Sequence, residues 1–207
     1  SKNKISKIDF DNVMRKLKSE GFVNTNPNGD YSLKIQNEFT DIKTGVTKMS
    51  NLRSEIKGLA SIQNYCKSNL LDDIPSYDMI YIMKSYVKDG DNIFYPIDNE
   101  NFNFRISYQN EKIMTDKSPI VKSAKSDWKN LKKNFRFINR VSFINPDFPS
   151  LRIDMSVVKS SLNNKSYNIQ DSGVFRNLET YEIEFELLNS IREDENLLEK
   201  IIKKTIK

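Results

Sequence analysis

Histidine is absent from the 207 residues of this chain, and Cys66 is its one cysteine. Without histidine, neither a Ser–His nor a Cys–His nucleophilic pair can form, and no imidazole can bind a metal. A single cysteine excludes an internal disulfide and a zinc site built on cysteines. Any hydrolytic chemistry must therefore use carboxylates, lysines, arginines or a hard metal ion.

The chain also lacks long apolar runs and nucleotide-binding motifs. No segment is apolar enough to span a bilayer, and the N-terminal SKNKISKIDF has no secretory apolar stretch, so we expect an intracellular protein. Neither GxGxxG nor GxxxxGK[ST] occurs, which argues against Rossmann and P-loop folds. The net charge of +5 is only mildly basic and by itself is a weak indication of nucleic acid.

The hydrophobic pattern predicts an α+β, mainly β protein: an antiparallel barrel with a few helices. A helix is predicted from Ser6, which can cap it, to Glu20, and Gly21 ends it. Further helices are predicted at 59–67, 126–133 and 194–206, and a loop at 160–177. Strands are predicted at 31–42, 77–87, 103–109, 135–143, 151–159 and 180–188.

The segment Thr180–Leu187 alternates strictly, so a strand here places Glu182, Glu184 and Glu186 on one face and apolar side chains on the other. Taken alone, the ordinary interpretation is a half-exposed strand with its glutamates in water. Three glutamates on one face repel each other, however, and glutamate is a poor strand former. Positive charge nearby is therefore expected.

Arginines on other predicted strands supply that charge. Arg152, Asp154 and Ser156 share one face of the strand 151–159, opposite Leu151, Ile153, Met155 and Val157. Arg136 and Arg140 have the same parity on the preceding strand, and Arg105 lies on an earlier one. We expect an inverted arrangement, in which charged faces line the interior of the barrel and apolar faces pack outward beneath helices.

Clustered glutamates form a hard oxygen site suited to Mg²⁺ or Mn²⁺, and arginines bind phosphate oxygens. This combination predicts a phosphohydrolase that acts on a phosphate chain.

YEIEFEL, preceded by FRFINRVSF and LRIDMSVVK, resembles the tunnel-type metal-dependent triphosphatases, above all the RNA 5′-triphosphatase domains of fungal and large-DNA-virus mRNA capping enzymes, including the giant-virus type. The resemblance implies an eight-stranded antiparallel tunnel with flanking helices and Mg²⁺ or Mn²⁺ held by two glutamate strands. It implies removal of the γ-phosphate from the 5′-triphosphate end of nascent RNA.

The resemblance also implies the site residues. Glu182, Glu184 and Glu186 match the C-terminal glutamate strand. Arg105, Arg136, Arg140, Arg152 and Asp154 match strands bearing arginine and acid, and Lys84, Lys112 and Lys122 are candidate phosphate contacts, although surface positions are commoner for lysines. On the N-terminal glutamate strand, Glu38 matches a metal ligand but Thr40 stands where a second glutamate is expected. Asp41 has the wrong parity unless a bulge re-aims it, and Glu55 is a candidate substitute.

Three functions stay open at this point. The chain is expected to act on triphosphate-ended RNA; the alternatives are a tunnel phosphatase for inorganic triphosphate, polyphosphate or free nucleotides, and a non-catalytic module that binds phosphorylated ends. We expect a single triphosphatase domain over 1–207, forming the N-terminal part of a larger capping enzyme with guanylyltransferase and methyltransferase domains as partners.

Overall fold

The structure, a computed structural model, describes residues 4–41, 43–99, 104–161 and 165–188. Its α-helices are α1 (Lys7–Ser19), α2 (Leu59–Ser68), α3 (Pro119–Ser126) and α4 (Ile169–Ser172). Its strands are β1 (Val23–Asn24), β2 (Asp30–Thr40), β3 (Thr47–Lys57), β4 (Met79–Tyr86), β5 (Lys88–Asp89), β6 (Asn92–Ile93), β7 (Ile97–Asn99), β8 (Phe104–Ile106), β9 (Gln109–Met114), β10 (Lys133–Asn145), β11 (Phe148–Ser160) and β12 (Thr180–Leu187). The protein is therefore α+β and mainly β, as the sequence predicts.

One large sheet contains eight of these strands. Seven follow the order β12-β11-β10-β2-β3-β4-β9, and β1 pairs with β10. All pairings whose registers are resolved are antiparallel. Two small hairpins, β5–β6 and β7–β8, lie outside this sheet in the long connection between β4 and β9. No helix in the described part of the chain is long and apolar enough to cross a membrane.

The described residues fall into two compact units. The first unit comprises residues 31–138 and 159–179, and the second comprises 4–30, 139–158 and 180–188, apart from the positions outside the described ranges. Strands β10 and β11 contribute residues to both. Each unit has its own apolar core.

The core of the second unit lies between α1 and the sheet. Phe10 and Leu17 of α1 pack with Ile153 and Met155 of β11 and with Phe143 of β10. Ser6 caps α1 by accepting the Asp9 N–H at 3.1 Å, as the sequence predicts. The cap fixes where the helix starts, which in turn directs its apolar side onto the strands.

The core of the first unit is built on β2 and β3 beneath α2 and α3. Leu33, Ile35, Leu52 and Ile56 are fully buried there. Trp128 joins them, and its indole N–H donates to the Asn69 carbonyl at 3.1 Å. This core holds one face of β2 and β3 inward and leaves their charged face on the other side.

Several predicted boundaries are wrong. The predicted helix at 126–133 is instead α3, which begins at Pro119, followed by a 3₁₀ turn Trp128–Asn130, and Lys133 already belongs to β10. Proline is favoured in the first turn of a helix, and this accounts for the earlier start. The predicted strand 103–109 is divided between β8 and β9, and α4 interrupts the predicted loop 160–177. The predicted helix 194–206 lies outside the described residues.

Candidate functional site

The predicted glutamate strand pairs in register with the arginine–aspartate strand. Across β12 and β11 of the second unit, Glu182 is opposite Ser156, Glu184 is opposite Asp154, and Glu186 is opposite Arg152. Directly opposed side chains on neighbouring strands lie on the same face of a sheet. The register therefore brings four carboxylates and a guanidinium group onto one face.

Asp154 is the centre of this charged face, and its side chain is only 1% exposed. Its Oδ1 accepts a hydrogen bond from Ser142 Oγ at 2.7 Å, and its Oδ2 lies 2.9 Å from Arg140 Nη1. Arg152 Nε lies 3.1 Å from Oδ1 in an ion pair, without the alignment of a hydrogen bond. A buried carboxylate needs such partners, because an unpaired charge in the interior is strongly destabilising.

The two arginines connect Asp154 to the glutamate strand. Arg140 Nη2 donates to Glu184 Oε2 at 2.8 Å, and Arg140 Nε donates to Ser156 Oγ at 3.1 Å. Arg152 forms an ion pair with Glu186. Glu184 and Glu186 are about half exposed, so solvent weakens their share of these contacts. Asp154 thus fixes the guanidinium groups firmly, whereas the glutamates contact them from the accessible side.

The opposite face of β11 and β12 is apolar and packs beneath α1, as predicted. Phe10 and Tyr181 have their ring centroids 5.1 Å apart, and Ile183 joins the same core. The cover is incomplete, since Phe185 is 56% exposed. Partial burial of Tyr181 and Ile183 fixes which way the strand faces, and strict alternation places the three glutamates on the other side.

The donor chemistry of this face suits a hard divalent cation. Its carboxylates are oxygen ligands, and Asp154 with the three glutamates exceeds Arg140 and Arg152 by two formal negative charges. Within the described ranges, however, no three acidic side chains are already grouped to hold a metal ion. Arg140 stands between Asp154 and Glu184. The residues therefore fit such an ion in chemistry and charge, while their present contacts are to guanidinium groups.

The predicted N-terminal glutamate strand lies in the first unit as β2. Glu38 forms an ion pair with Lys165 at 2.6 Å and its side chain is 15% exposed. Thr40 is exposed and contacts Thr47 by a 2.9 Å hydrogen bond between hydroxyl oxygens. Asp41 accepts the N–H of Lys43 at 2.9 Å, so it stabilises the turn after the strand. A register irregularity does occur, between Gln36 and Glu38, but it precedes Asp41.

Glu55 lies on β3 opposite Lys34, with Nζ and Oε2 3.8 Å apart and the Glu55 side chain 12% exposed. On the same unit, Lys84 forms an ion pair with Glu111. Burial acts to raise the pKa of Glu111, but Lys84 and, less strongly, Lys34 and Arg53 outweigh it and hold that pKa below its usual value.

The charges of Lys34, Arg53 and Lys84 therefore all act on one carboxylate, and we refer to these three residues as the basic cluster. Sequence reasoning missed Lys34 and Arg53. Their alternation with buried Leu33 and Leu52 was the available signal, because it already placed them on the face opposite the core.

The remaining predicted residues are more scattered. Arg105 lies on the β7–β8 hairpin, exposed, and binds Asp98 through two hydrogen bonds of 2.7 and 2.9 Å, so the structure does not place it on the large sheet. Arg136 is exposed on the part of β10 that belongs to the first unit. Lys112 and Lys122 are exposed, on β9 and α3. Their roles stay predictions.

No protein-family model matches the sequence, and no curated protein does. Solved structures do share the fold. One is the RNA triphosphatase domain of a trifunctional mimivirus mRNA capping enzyme, with a TM-score of 0.61 and 22% identity over 99% of this chain and 84% of that one. A triclinic structure of the mimivirus capping enzyme triphosphatase has a TM-score of 0.62 and 20% identity over 99% of this chain and 84% of that one. A monoclinic structure has a TM-score of 0.58 and 21% identity over 99% of this chain and 85% of that one. The chain therefore has the fold of the mimivirus capping-enzyme triphosphatase, which is the resemblance that its strand motifs predict.

Proposed function

We propose that this chain hydrolyses the γ-phosphate from the 5′-triphosphate end of RNA and leaves a 5′-diphosphate end for mRNA capping. The observation that supports this most is the contact of Arg140 and Arg152 with buried Asp154 on one side and half-exposed Glu184 and Glu186 on the other. The fold is shared with RNA triphosphatase domains of a mimivirus capping enzyme, and this likeness supports the same activity here.

The arginines would bind the phosphate oxygens. Asp154 holds both guanidinium groups from the buried side, so they are oriented before a substrate arrives, and little conformational entropy is then lost on binding. A phosphate oxygen and a glutamate oxygen can satisfy the same N–H donors. Substrate binding is therefore a competition in which phosphate displaces Glu184 and Glu186 from their arginines.

Glutamates displaced in this way regain their full capacity as oxygen ligands. We infer that Glu182, Glu184 and Glu186 would then hold Mg²⁺ or Mn²⁺, which when bound would polarise the γ-phosphate. A glutamate of the same strand would orient the attacking water. Glu38 is retained as a predicted further ligand. The proposed role also fits a chain joined to guanylyltransferase and methyltransferase activities, since one similar structure belongs to a trifunctional capping enzyme.

The direct test is release of phosphate from γ-labelled triphosphate RNA with and without Mg²⁺ or Mn²⁺. We expect metal-dependent release by the wild type and a loss of about 100-fold in Glu184→Ala, the size typical of losing one electrostatic contact to the reacting group. Glu20→Ala, at the exposed end of α1, is the matched control and should retain the wild-type rate. Absence of release by the wild type with either metal would contradict the proposal.

A non-catalytic module for phosphorylated ends is the second candidate. It is favoured by one observation, namely that no group of three acids is preassembled in the described ranges. It predicts that triphosphate RNA binds to wild type and to Glu184→Ala alike, with no phosphate released in Mn²⁺. Comparing triphosphate RNA with inorganic triphosphate as substrates separates the RNA enzyme from a phosphatase of small polyphosphates.

A further inference from the structure

Four exposed aromatic side chains of the first unit form two ring pairs, and we call the four together the aromatic platform: Tyr86, Phe94, Tyr95 and Tyr108. Their exposed fractions are 43%, 46%, 65% and 49% respectively. Tyr86 and Tyr95 have ring centroids 5.4 Å apart, and those of Phe94 and Tyr108 are 6.0 Å apart. Rings of this size are normally buried, and a group of them at the surface marks a binding site.

Backbone pairing brings these rings together from three stretches of chain. Tyr86 ends β4 and pairs with Gln109, the neighbour of Tyr108. The connection between them turns back through the β5–β6 hairpin, where the Phe94 N–H donates to the Val87 carbonyl at 3.0 Å. The pairing at the end of β4 and the hydrogen bond between Phe94 and Val87 therefore hold the backbone beside these rings.

Tyr86, whose ring pairs with that of Tyr95, continues the face that carries the basic cluster. Alternation along β4 puts Ile82, Lys84 and Tyr86 on one side. Arg53 is directly opposite Ile82 on β3, so it shares that side. Two residues of a strand span roughly 7 Å, so one polyanionic chain can contact Lys84 and reach Tyr86. Arg105 lies on β8, three residues before Tyr108, and its side chain is 60% exposed and bound to Asp98.

We propose that the aromatic platform binds unpaired bases of an RNA strand by stacking, while the basic cluster contacts the sugar–phosphate backbone of the same strand. Exposed aromatic rings beside cations are the combination with which proteins hold single strands irrespective of sequence. The identification of that strand as the substrate rests on the proposed function. The platform would then favour RNA over inorganic triphosphate, because the latter has no base to stack.

Binding can be measured without catalysis. The probe is a fluorescein-labelled single-stranded RNA of twelve nucleotides with a 5′-hydroxyl end, followed by anisotropy in the absence of divalent metal. We expect Tyr95→Ala to weaken binding about ten-fold, the loss of roughly one base stack, and Tyr95→Phe to retain it. Tyr77→Ala is the matched control, because Tyr77 is 82% exposed in the same unit but lies outside the platform.

Tyr95 is largely exposed, so its replacement should leave the thermal unfolding temperature unchanged, and that measurement accompanies each binding curve. Equal affinities of wild type, Tyr95→Ala and Tyr77→Ala, or no binding by the wild type, would overturn the proposal. A change of sedimentation coefficient in Tyr95→Ala without a change in RNA affinity would also overturn it, and would assign the platform to self-association.

Kinetics separate this inference from the proposed function. For Tyr95→Ala, the ratio of kcat/KM for triphosphate RNA to that for inorganic triphosphate should fall about ten-fold. If the wild type binds RNA through Tyr95 but releases no phosphate, the platform stands and the proposed hydrolysis fails. If phosphate is released and the ratio is unaltered in Tyr95→Ala, the hydrolysis stands and the platform fails.

Discussion

Arg140 Nη1 lies 2.9 Å from Asp154 Oδ2, on a carboxylate whose side chain is 1% exposed, while Nη2 of the same guanidinium group reaches the half-exposed Glu184. The same arginine therefore has a permanent partner inside the protein and an exchangeable one at the surface. Removing the permanent partner should affect stability and function together.

Asp154→Asn keeps the shape of the side chain but removes its charge, leaving Arg140 and Arg152 without their buried anion. Breaking a buried pair in this way typically costs about 3–5 kcal/mol. We therefore expect the free energy of unfolding, measured with urea, to fall by that amount. Asp147→Asn, on the exposed turn between β10 and β11, should change it by less than about 0.5 kcal/mol. Equal urea midpoints for the two variants would show that Asp154 is not the centre of the network.

Phe10 supports the glutamate strand from behind by packing against Tyr181. Phe10→Ala should destabilise the protein by about 3–5 kcal/mol, because it leaves a cavity beneath β12. Ile8→Ala, on the same helix but 72% exposed, should have little effect. Thermal unfolding compares the two, and similar melting temperatures would mean that α1 does not hold the strand.

Alanine substitutions at Gly29 and Gly45 separate the cost of backbone strain from the cost of side-chain crowding. Both have positive φ, +70° and +68°, but an added Cβ would lie 2.7 Å from Asn139 Oδ1 at Gly29 and would meet nothing within 4 Å at Gly45. Alanine at either position costs about 1–2 kcal/mol of backbone strain. Gly29→Ala should cost roughly 1 kcal/mol more through overpacking next to Arg140. Urea unfolding of both variants gives that difference, and a value of zero would exclude the contact.

Lys133 is a buried cation that should make stability depend on pH. Its Nζ donates to the carbonyls of Leu131 and Tyr167 at 2.7 and 2.9 Å and lies 4.9 Å from the Trp128 ring centroid. Burial lowers the pKa of Lys133 to about 8, although Asp127 opposes the shift. Below pH 8 the folded protein therefore buries a charged lysine, which lowers its free energy of unfolding. As the pH rises from 8 toward the unfolded pKa of about 10.4, the folded state loses this charge first, and the free energy of unfolding increases.

The free energy of unfolding of the wild type should therefore rise relative to Lys133→Met between pH 8 and 10, by on the order of 1–3 kcal/mol. Guanidinium unfolding of both proteins at pH 7, 8, 9 and 10 measures this. Lys129→Met removes an exposed lysine nearby, and its free energy of unfolding should change with pH in the same way as that of the wild type. Parallel curves for Lys133→Met would mean that Lys133 keeps an ordinary pKa.

Helix and strand positions were largely predictable where a local signal was strong. Ser6 as a cap and the alternation of 151–159 and 180–187 predicted α1, β11 and β12, because these signals depend only on neighbours along the chain. Trp128 does lie in a short helix, a 3₁₀ turn, but the bounds predicted for that helix were wrong. Its position depends on a hydrogen bond to Asn69, 59 residues away, which no window of sequence contains.

The candidate site was predictable in part, because the alternation of side chains along a strand depends only on the local sequence. Parity alone put Glu182, Glu184 and Glu186 on the face opposite Ile183. It could not show that Glu184 stands opposite Asp154, because register is a relation between strands. Nor could it show that Arg105 pairs with Asp98 on a separate hairpin.

By itself, the sequence determined the available chemistry: no histidine, one cysteine, and carboxylates and arginines that alternate with apolar residues on strands. It thereby determined which side chains share a face, because the period of a strand is a property of the backbone. Only the tertiary structure decided which groups meet and which are buried, including the enclosure of Asp154 and the pairing of Tyr95 with Tyr86. Those outcomes depend on contacts between distant segments, whose energies appear only once the chain has packed.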